Sequence, residues 1–306
     1  MVNSRDIKES GEGMRSTDKR CEEQRELEQK DYTMPTFLGQ GAISQVWRVW
    51  NEKEQRYEAC KISANGKRAE REAEILKSLR HPLFPKYRQA WQGENSFFLV
   101  MEYIPGNSLG ELVRRRGGFS WKQAVRITME LAEGLLYLHE RSTPILFRDI
   151  KPDNVMIRQE GRVKLIDVGC ACQEGEIGTI AGSKAYGAPE QLSGREQPGV
   201  ESDVYALGKL LHYILTGRET GAELRKEKYR KIPQGLWQLA EEAACEDRKM
   251  RIPDMRTFLQ RLSVYDGKCS LKRLQVDGKA LFHPGTKEGF YYVQNVRRGM
   301  DDQIGM

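Results

Sequence analysis

Within the stretch ILFRDIKPDNVMI, Ile145 to Ile157, the polar side chains stand at offsets suited to moving a phosphoryl group. Asp149 can take the proton of an attacking hydroxyl, Lys151 can neutralise charge developing on the transferred phosphate, and Asn154 can hold a metal ion. Arg-Asp, Lys-Pro and Asp-Asn are also ordinary turn vocabulary, so taken alone the stretch reads as well as a polar loop between buried segments. What separates the two readings is that other parts of a phosphoryl-transfer machine occur in order around it. LGQGAISQV starts at Leu38, YEACKI carries Lys61, an acidic helical segment carries Glu72, IDVG starts at Ile166 and APE ends at Glu190.

The surrounding pattern supplies elements to position these groups. TFLGQGAISQVWRVW reads as strand, glycine turn and strand, with Val46 and Arg48 on one face; Gly39 and Gly41 let the backbone approach a phosphate that a side chain would obstruct. RYEACKIS is a further strand that alternates Tyr57, Ala59 and Lys61 onto one face. Glu72 shares a helical face with Ile75, Leu76 and Leu79, which leaves Glu70 and Glu74 to solvent. Ser120 and Gln123 form a capping box at the head of a stripe through Ala124, Ile127, Leu131, Leu135 and Leu138, a long buried helix that leads to the catalytic stretch. SDVYALGKLLHYILTG is a hydrophobic central helix, and Met255, Leu259 and Leu262 mark the face of a last one.

Joined in this order, the motifs closely resemble the eukaryotic-type (Hanks-type) protein kinase family over residues 36 to 262, with the look of its soluble bacterial members. The resemblance implies an α+β, two-lobed fold: a small β-rich N-lobe over about 34–102 with one main helix, and a larger, mostly helical C-lobe over about 106–262. It implies ATP and Mg2+, or Mn2+, as cofactors. It assigns Glu72 the ion pair with Lys61, places Lys61 at the phosphates, and lines the nucleotide site with Gly39, Gly41, Ser44, Val46 and Ala59. Ser44 stands where the family's third glycine is usual. Met101 guards the back of the adenine pocket, the backbone of Glu102 and Ile104 meets the adenine edge, Ser108 follows at the opening of the larger lobe, and Met156 closes the pocket from below. Asn154 and Asp167 are the implied metal ligands, with Asp149 and Lys151 catalytic.

The same resemblance implies that Ser183 bonds the catalytic pair, that Asp203 holds the backbone of the catalytic loop, and that Glu190 pairs with Arg251. Arg148 is implied to bind a phosphate on the activation segment, with Thr179 the best-placed acceptor for autophosphorylation in trans, hence self-association. Lys151 and Ser183 together resemble Ser/Thr-specific members, so the expected partner is a protein with a serine or threonine acceptor. Phe147 and Val168 depart from the usual histidine and phenylalanine and are expected to compensate in volume. Together with Ser44 they support the alternative of a pseudokinase, or an ATP-binding regulatory scaffold, which keeps the fold without turnover.

Composition is compatible with this. In 306 residues, 39% hydrophobic and 31% charged describe a globular chain, long enough for a two-lobed enzyme with tails, and without the apolar run of about 20 residues that spans a bilayer. The start has no apolar signal region, and the six cysteines are scattered, so free thiols and a cytoplasmic setting are expected. Cys170 and Cys172 read either as a redox-sensitive pair or as small packing residues. The net charge of +6 gathers at Arg114, Arg115 and Arg116 and at 225–231, which read as solvated faces; no nucleic-acid module is evident. Residues 1–33 are polar without an apolar period and expected to be disordered, except that CEEQRELEQK can form a short helix through Glu26 and Lys30. Residues 263–306 form an extension that either packs back or makes a small strand pair around FYYV.

Overall fold

The computed structural model describes residues 21–41, 43–64, 66–176, 182–194, 196–219 and 231–266. The described residues divide into two compact units, one built from 21–77 together with Lys86–Tyr103, the other from Ser78–Pro85 and the described residues from Ile104 to 266. Thr179 lies outside the described residues, as do residues 1–20 and the extension beyond 266.

The first unit is an antiparallel sheet of β1 (Tyr32–Gln40), β2 (Ser44–Asn51), β3 (Arg56–Ser63), β4 (Tyr87–Gln92) and β5 (Phe97–Glu102), in the order β1-β2-β3-β5-β4. Pairing sets Val46 opposite Lys61 and Lys61 opposite Leu99, and sets Arg48 opposite Ala59 and Ala59 opposite Met101. Since strand side chains alternate with period two, these residues share one face. Cys60, Ile62, Phe98 and Val100 take the other, where they form a core with Tyr32 and Val49, and Trp47 and Trp91 pack against it. Helix α2 (Gly66–Ser78) buries Ala69, Glu72, Ala73 and Leu76. Glu70 and Glu74 are exposed as their offsets require, and Ile75 is only half-buried because two alanines take that part of the buried stripe.

Residues 21–28 form a helix, α1, so the expected disorder through residue 33 fails from residue 21 onward, and the short helix foreseen in CEEQRELEQK is present. The polar composition misled because a single apolar residue suffices here: Leu27 enters the sheet core at 3% exposure. Its acidic side chains hold the turn between β4 and β5. Glu26 accepts from the Glu94 N–H at 3.1 Å, Glu22 from Asn95 at 3.0 Å and Glu23 from Ser96 Oγ at 3.0 Å. Leu27→Ala should therefore lower the unfolding free energy by about 2 to 5 kcal/mol, read from urea denaturation; a loss below about 0.5 kcal/mol would show α1 to be only laid on the surface.

A buried polar knot ties the start of β1 to its neighbours. Glu58, 1% exposed, accepts from Tyr32 Oη at 3.0 Å, Asn51 Nδ2 at 3.2 Å and Arg56 Nε at 2.8 Å, while Gln89 donates to Tyr32 Oη at 2.8 Å. Burial first, and then the Glu58 charge, push the Tyr32 phenol well above its ordinary range, so it remains a neutral donor.

In the second unit, β6 (Asn107–Ser108), β8 (Val155–Ile157) and β9 (Val163–Leu165) form a three-stranded sheet, and β7 (Ile145–Leu146) pairs with β10 (Cys172–Gln173). Helix α3 (Leu109–Arg116) follows β6, and α4 (Trp121–His139) runs from the Ser120–Gln123 capping box, with the foreseen stripe at 0 to 1% exposure. Short α5 (Pro189–Ser193) precedes α6 (Val200–Thr216), nearly all of it buried, against which α4, α7 (Gln234–Ala243) and α8 (Met255–Ser263) pack. On α8 the buried residues are Met255, Phe258 and Leu262; Phe258 takes the place expected of Leu259. No described helix is long and apolar enough to cross a membrane.

Candidate active site

Each unit carries its own share of the candidate residues. On the β2–β3–β5 face of the first unit, Lys61 Nζ bonds both carboxylate oxygens of Glu72, at 2.7 and 2.9 Å. The two residues are 8% and 5% exposed, so the ammonium is fixed in direction. Ala59 and Met101 face each other across the same sheet and are buried, and Val46, half-buried, stands beside Lys61. Gly39 pairs with Val46 at the end of β1, and the Gly41 N–H donates to the Ser44 carbonyl at 2.7 Å, closing the glycine turn. A Cβ on Gly41 would lie 3.3 Å from Ser44 Oγ, so the glycine makes room for the serine that replaces the usual third glycine. The Glu102 N–H donates to the Lys86 carbonyl at 2.8 Å.

In the second unit the catalytic stretch follows β7. Asp149 Oδ2 accepts from Lys151 Nζ at 2.8 Å and from Asn154 Nδ2 at 2.9 Å, and the same Asn154 nitrogen bonds the Asp149 carbonyl. Asp149 is 7% exposed, and its other oxygen, Oδ1, has no hydrogen-bond partner among the described residues. A buried carboxylate oxygen without a partner is costly in a merely structural loop, whereas a general base needs one lone pair open to the proton it accepts. Burial pulls the Lys151 ammonium downward, but Asp149, with Asp167 behind it, more than offsets this and holds its pKa above the ordinary value. Lys151 is accordingly a fixed cation.

The backbone confirms that the loop is under constraint. Arg148 and Asp167 are both left-handed, at φ 69°. Such a conformation costs a non-glycine residue about 1 to 3 kcal/mol and persists where neighbours over-determine it. For Arg148 those neighbours are Asp203 and Gln191. Its N–H donates to Asp203 Oδ1 at 2.8 Å, the preceding Phe147 N–H to Asp203 Oδ2 at 2.8 Å, and its carbonyl accepts from Gln191 Nε2 at 2.7 Å. Asp203 is fully buried on α6 and meets His139 Nε2 at 2.9 Å. The Asp203 role was legible in the sequence. That of Gln191 was not, since a glutamine beside APE gives no signal of its target.

Asn154 and Asp167 present oxygen donors suited to a hard divalent cation. The nitrogen end of the Asn154 amide is spent on Asp149, which leaves its carbonyl oxygen as the ligand atom, and Asp167 carries a carboxylate whose Oδ1 accepts the Gly169 N–H at 3.2 Å. No group of three or more His, Cys, Asp or Glu among the described residues gathers as a metal cage.

Other expectations meet corrections. Ser108 caps α3: its hydroxyl accepts from the Glu111 N–H at 3.1 Å, and Glu111 returns the bond to the Ser108 N–H. The start of α3 recruits that side chain. Ser183 makes no bond to Asp149; its carbonyl accepts from the Tyr186 and Gly187 N–H groups in a turn. Ile104 and Met156 are buried, and Met156 stands opposite Ser108 on β8. Cys172 is buried with its sulfur 3.4 Å from Arg148 Nη1, and Cys170 is half-buried.

Phe147 is fully buried, its ring 6.4 Å from that of Phe84, and Val168 is buried as well. Val168→Phe should overpack this region and cost about 1 to 3 kcal/mol, relieved by Phe147→His if the two share one space. A double-mutant cycle measures it, and a coupling under about 0.5 kcal/mol would sink the compensation.

Comparison with known proteins adds an independent line. A family model described as protein kinase domain matches residues 32–274. Serine/threonine-protein kinase tousled-like 1 of Caenorhabditis elegans is 32% identical over 228 residues, 65% of this chain and 24% of that protein. CBL-interacting protein kinase 17 of Oryza sativa subsp. japonica is 30% identical over 200 residues, covering 61% and 44%. The human cAMP-dependent protein kinase catalytic subunit PRKX is 28% identical over 197 residues, covering 61% and 54%. The chain thus spans about a quarter to about half of the length of these relatives.

Proposed function

From the premise that this chain belongs to the protein kinase domain family, we propose that it transfers the γ-phosphoryl group of ATP to serine or threonine hydroxyls of proteins. The observation that carries the reading is the state of Asp149: one oxygen locked by Lys151 and Asn154, the other without a hydrogen-bond partner among the described residues. An acceptor hydroxyl set against Oδ1 gives up its proton to Asp149 as its oxygen bonds the γ-phosphorus and the bond from that phosphorus to the β–γ bridging oxygen breaks, releasing ADP, and Lys151 compensates charge on the moving phosphoryl group. Lys61, aimed by Glu72, steadies the phosphates of the nucleotide. Mg2+ or Mn2+, held by Asn154 and Asp167, would supply further charge neutralisation on those phosphates.

The protein relatives named above support a protein acceptor, and a second copy of the chain serves as one in autophosphorylation. Free thiols at the described cysteines suit a reducing compartment, hence the cytoplasm. A nucleotide-binding scaffold without turnover is the second reading. It rests on Ser44, Phe147 and Val168, none of which removes a charged group, while the polar groups of Lys61, Glu72, Asp149, Lys151 and Asn154 are paired as turnover requires. The test is transfer of label from γ-labelled ATP to the chain itself and to generic acidic and basic proteins, with excess chelator as one control. Label in the absence of divalent metal, or none under any condition, would sink the kinase reading.

A further inference from the structure

Between Asp167 and the start of β10 the chain carries two thiols, Cys170 and Cys172, which the phosphoryl-transfer reading does not use. They differ in surroundings. Cys170 is half-buried and stands in a turn closed by the Ala171 N–H, which donates to the Val168 carbonyl at 2.9 Å. Cys172 is 3% exposed, opens β10 opposite Leu146 of β7, and takes an N–H from Arg148 Nη1 on its sulfur at 3.4 Å. Small packing residues therefore describe Cys172 alone. Exposure decides which sulfur meets a solute, and the guanidinium decides which sulfur is helped when it carries negative charge.

The other described thiols lack this arrangement. Cys60 is sealed in the sheet core, where burial and then the Glu23 charge push its thiol well above the ordinary range. Cys21 is exposed on α1 and Cys245 half-buried just after α7, each without a second cysteine near it in the chain. Charge does not single out Cys170, since the Lys151 ammonium that feels it is bonded to Asp149 and feels Asp167 as well. What singles it out is exposure beside a second sulfur. Two residues apart, the Cα atoms are separated by at most about 7 Å, and the turn at Cys170 shortens that span toward the range of about 4.4 to 6.8 Å that a disulfide bridges.

We propose that Cys170 and Cys172 form a redox switch on the catalytic stretch, with a peroxide as the oxidant; its effect on turnover rests on the kinase reading above. The Cys170 thiolate attacks hydrogen peroxide: an S–O bond forms, the O–O bond breaks and hydroxide leaves to become water, so the sulfur is oxidised to a sulfenic acid and the peroxide reduced. The Cys172 sulfur then attacks that of Cys170, the S–S bond forms as the S–O bond breaks, and the hydroxide leaves with the Cys172 proton as water. The Arg148 N–H steadies the charge that passes through the attacking sulfur. So small a ring reshapes the turn between Val168 and Ala171. That turn adjoins Asp167, whose Oδ1 accepts the Gly169 N–H, and the bridge draws the Cys172 sulfur away from Arg148, so oxidation disturbs both sides of the site. Phosphoryl transfer should slow about tenfold or more, because a misplacement of about 1 Å is enough to cost that much. In a reducing compartment the pair rests as thiols and bridges only transiently.

The full chain treated with hydrogen peroxide, without nucleotide, and mapped by mass spectrometry tests the switch. The wild type should form the Cys170–Cys172 disulfide, reversed by dithiothreitol, before the exposed Cys21 is oxidised. Cys172→Ser should stop at the sulfenic acid, captured at Cys170 by dimedone. Cys170→Ser should leave Cys172 a thiol and make transfer from γ-labelled ATP insensitive to peroxide. A pair that stays reduced while Cys21 oxidises, a Cys172 oxidised as fast in Cys170→Ser as in the wild type, or transfer undiminished once the disulfide has formed overturns the proposal. If no redox state transfers label the kinase reading fails, and the pair then stands or falls with the disulfide alone.

Discussion

Asp149→Asn is expected to slow phosphoryl transfer by about 10²- to 10⁴-fold while leaving the protein folded and able to bind nucleotide. Asparagine keeps the volume of Asp149 and one oxygen for Lys151 Nζ, now 2.8 Å from Oδ2, so the local packing survives. What disappears is the lone pair of an anionic Oδ1, the buried atom that has no hydrogen-bond partner among the described residues. Turnover is read with γ-labelled ATP at saturating substrate, and nucleotide binding by the shift in melting temperature. Transfer at the wild-type rate would remove Asp149 as the base, and with it the active-kinase reading. Lys61→Ala is a less clean probe of chemistry, because it strips the partner from Glu72, a carboxylate 5% exposed, and so mixes lost catalysis with lost stability.

The sequence made the site legible where chemistry and spacing coincide. Asp149, Lys151 and Asn154 lie within one turn of chain, so their mutual bonds follow from local geometry, and Lys61–Glu72 follows from a strand period meeting a helix period. Long-range pairs between opposite charges, such as Glu190 with Arg251, became legible only through the family resemblance, since nothing local connects residues so far apart. Where a side chain has more than one suitor, spacing alone does not rank them. Ser108 could cap or contact a ligand and the helix claimed it, and Gln191 has an amide whose target is a carbonyl on another segment. Helix α1 was foreseen, but its anchorage was not, for a different reason: one leucine and three glutamates answer donors of the β4–β5 turn, a pattern with no period. Arg114 was read as a solvated charge because its partner Asp153 belongs to a different motif.

The largest expected loss of stability comes from Arg251→Ala. Arg251 reaches Glu190 through two bonds, Nη1 to Oε1 at 2.6 Å and Nη2 to Oε2 at 3.1 Å, and Ser202 Oγ adds a third to Glu190 at 2.8 Å. The arginine side chain is wholly buried and Glu190 nearly so, so removing the cation leaves a carboxylate without its counter-ion inside the protein. Breaking a buried pair from one side costs about 3 to 5 kcal/mol, a large part of the stability of an ordinary domain. Arg251 also donates to the Cys245 carbonyl at 2.9 Å and lies over the Tyr205 ring at 4.8 Å, which places the expected loss at the upper end. Proton linkage separates the charge from the packing. Burial alone would raise the Glu190 pKa, but the bonds from Arg251, its own backbone and Ser202 outweigh it, and the carboxyl sits below the ordinary range. A depressed carboxylate contributes its stability in full above its unfolded pKa, about 4.3, and loses it as pH falls through the lower folded value. Urea midpoints of the wild type and of Glu190→Gln should therefore differ most at neutral pH and converge as the pH is lowered from about 4. A gap that stays constant from neutral pH into that acid range would mean that Glu190 stabilises by shape alone, and that the pair with Arg251 contributes no electrostatic stability.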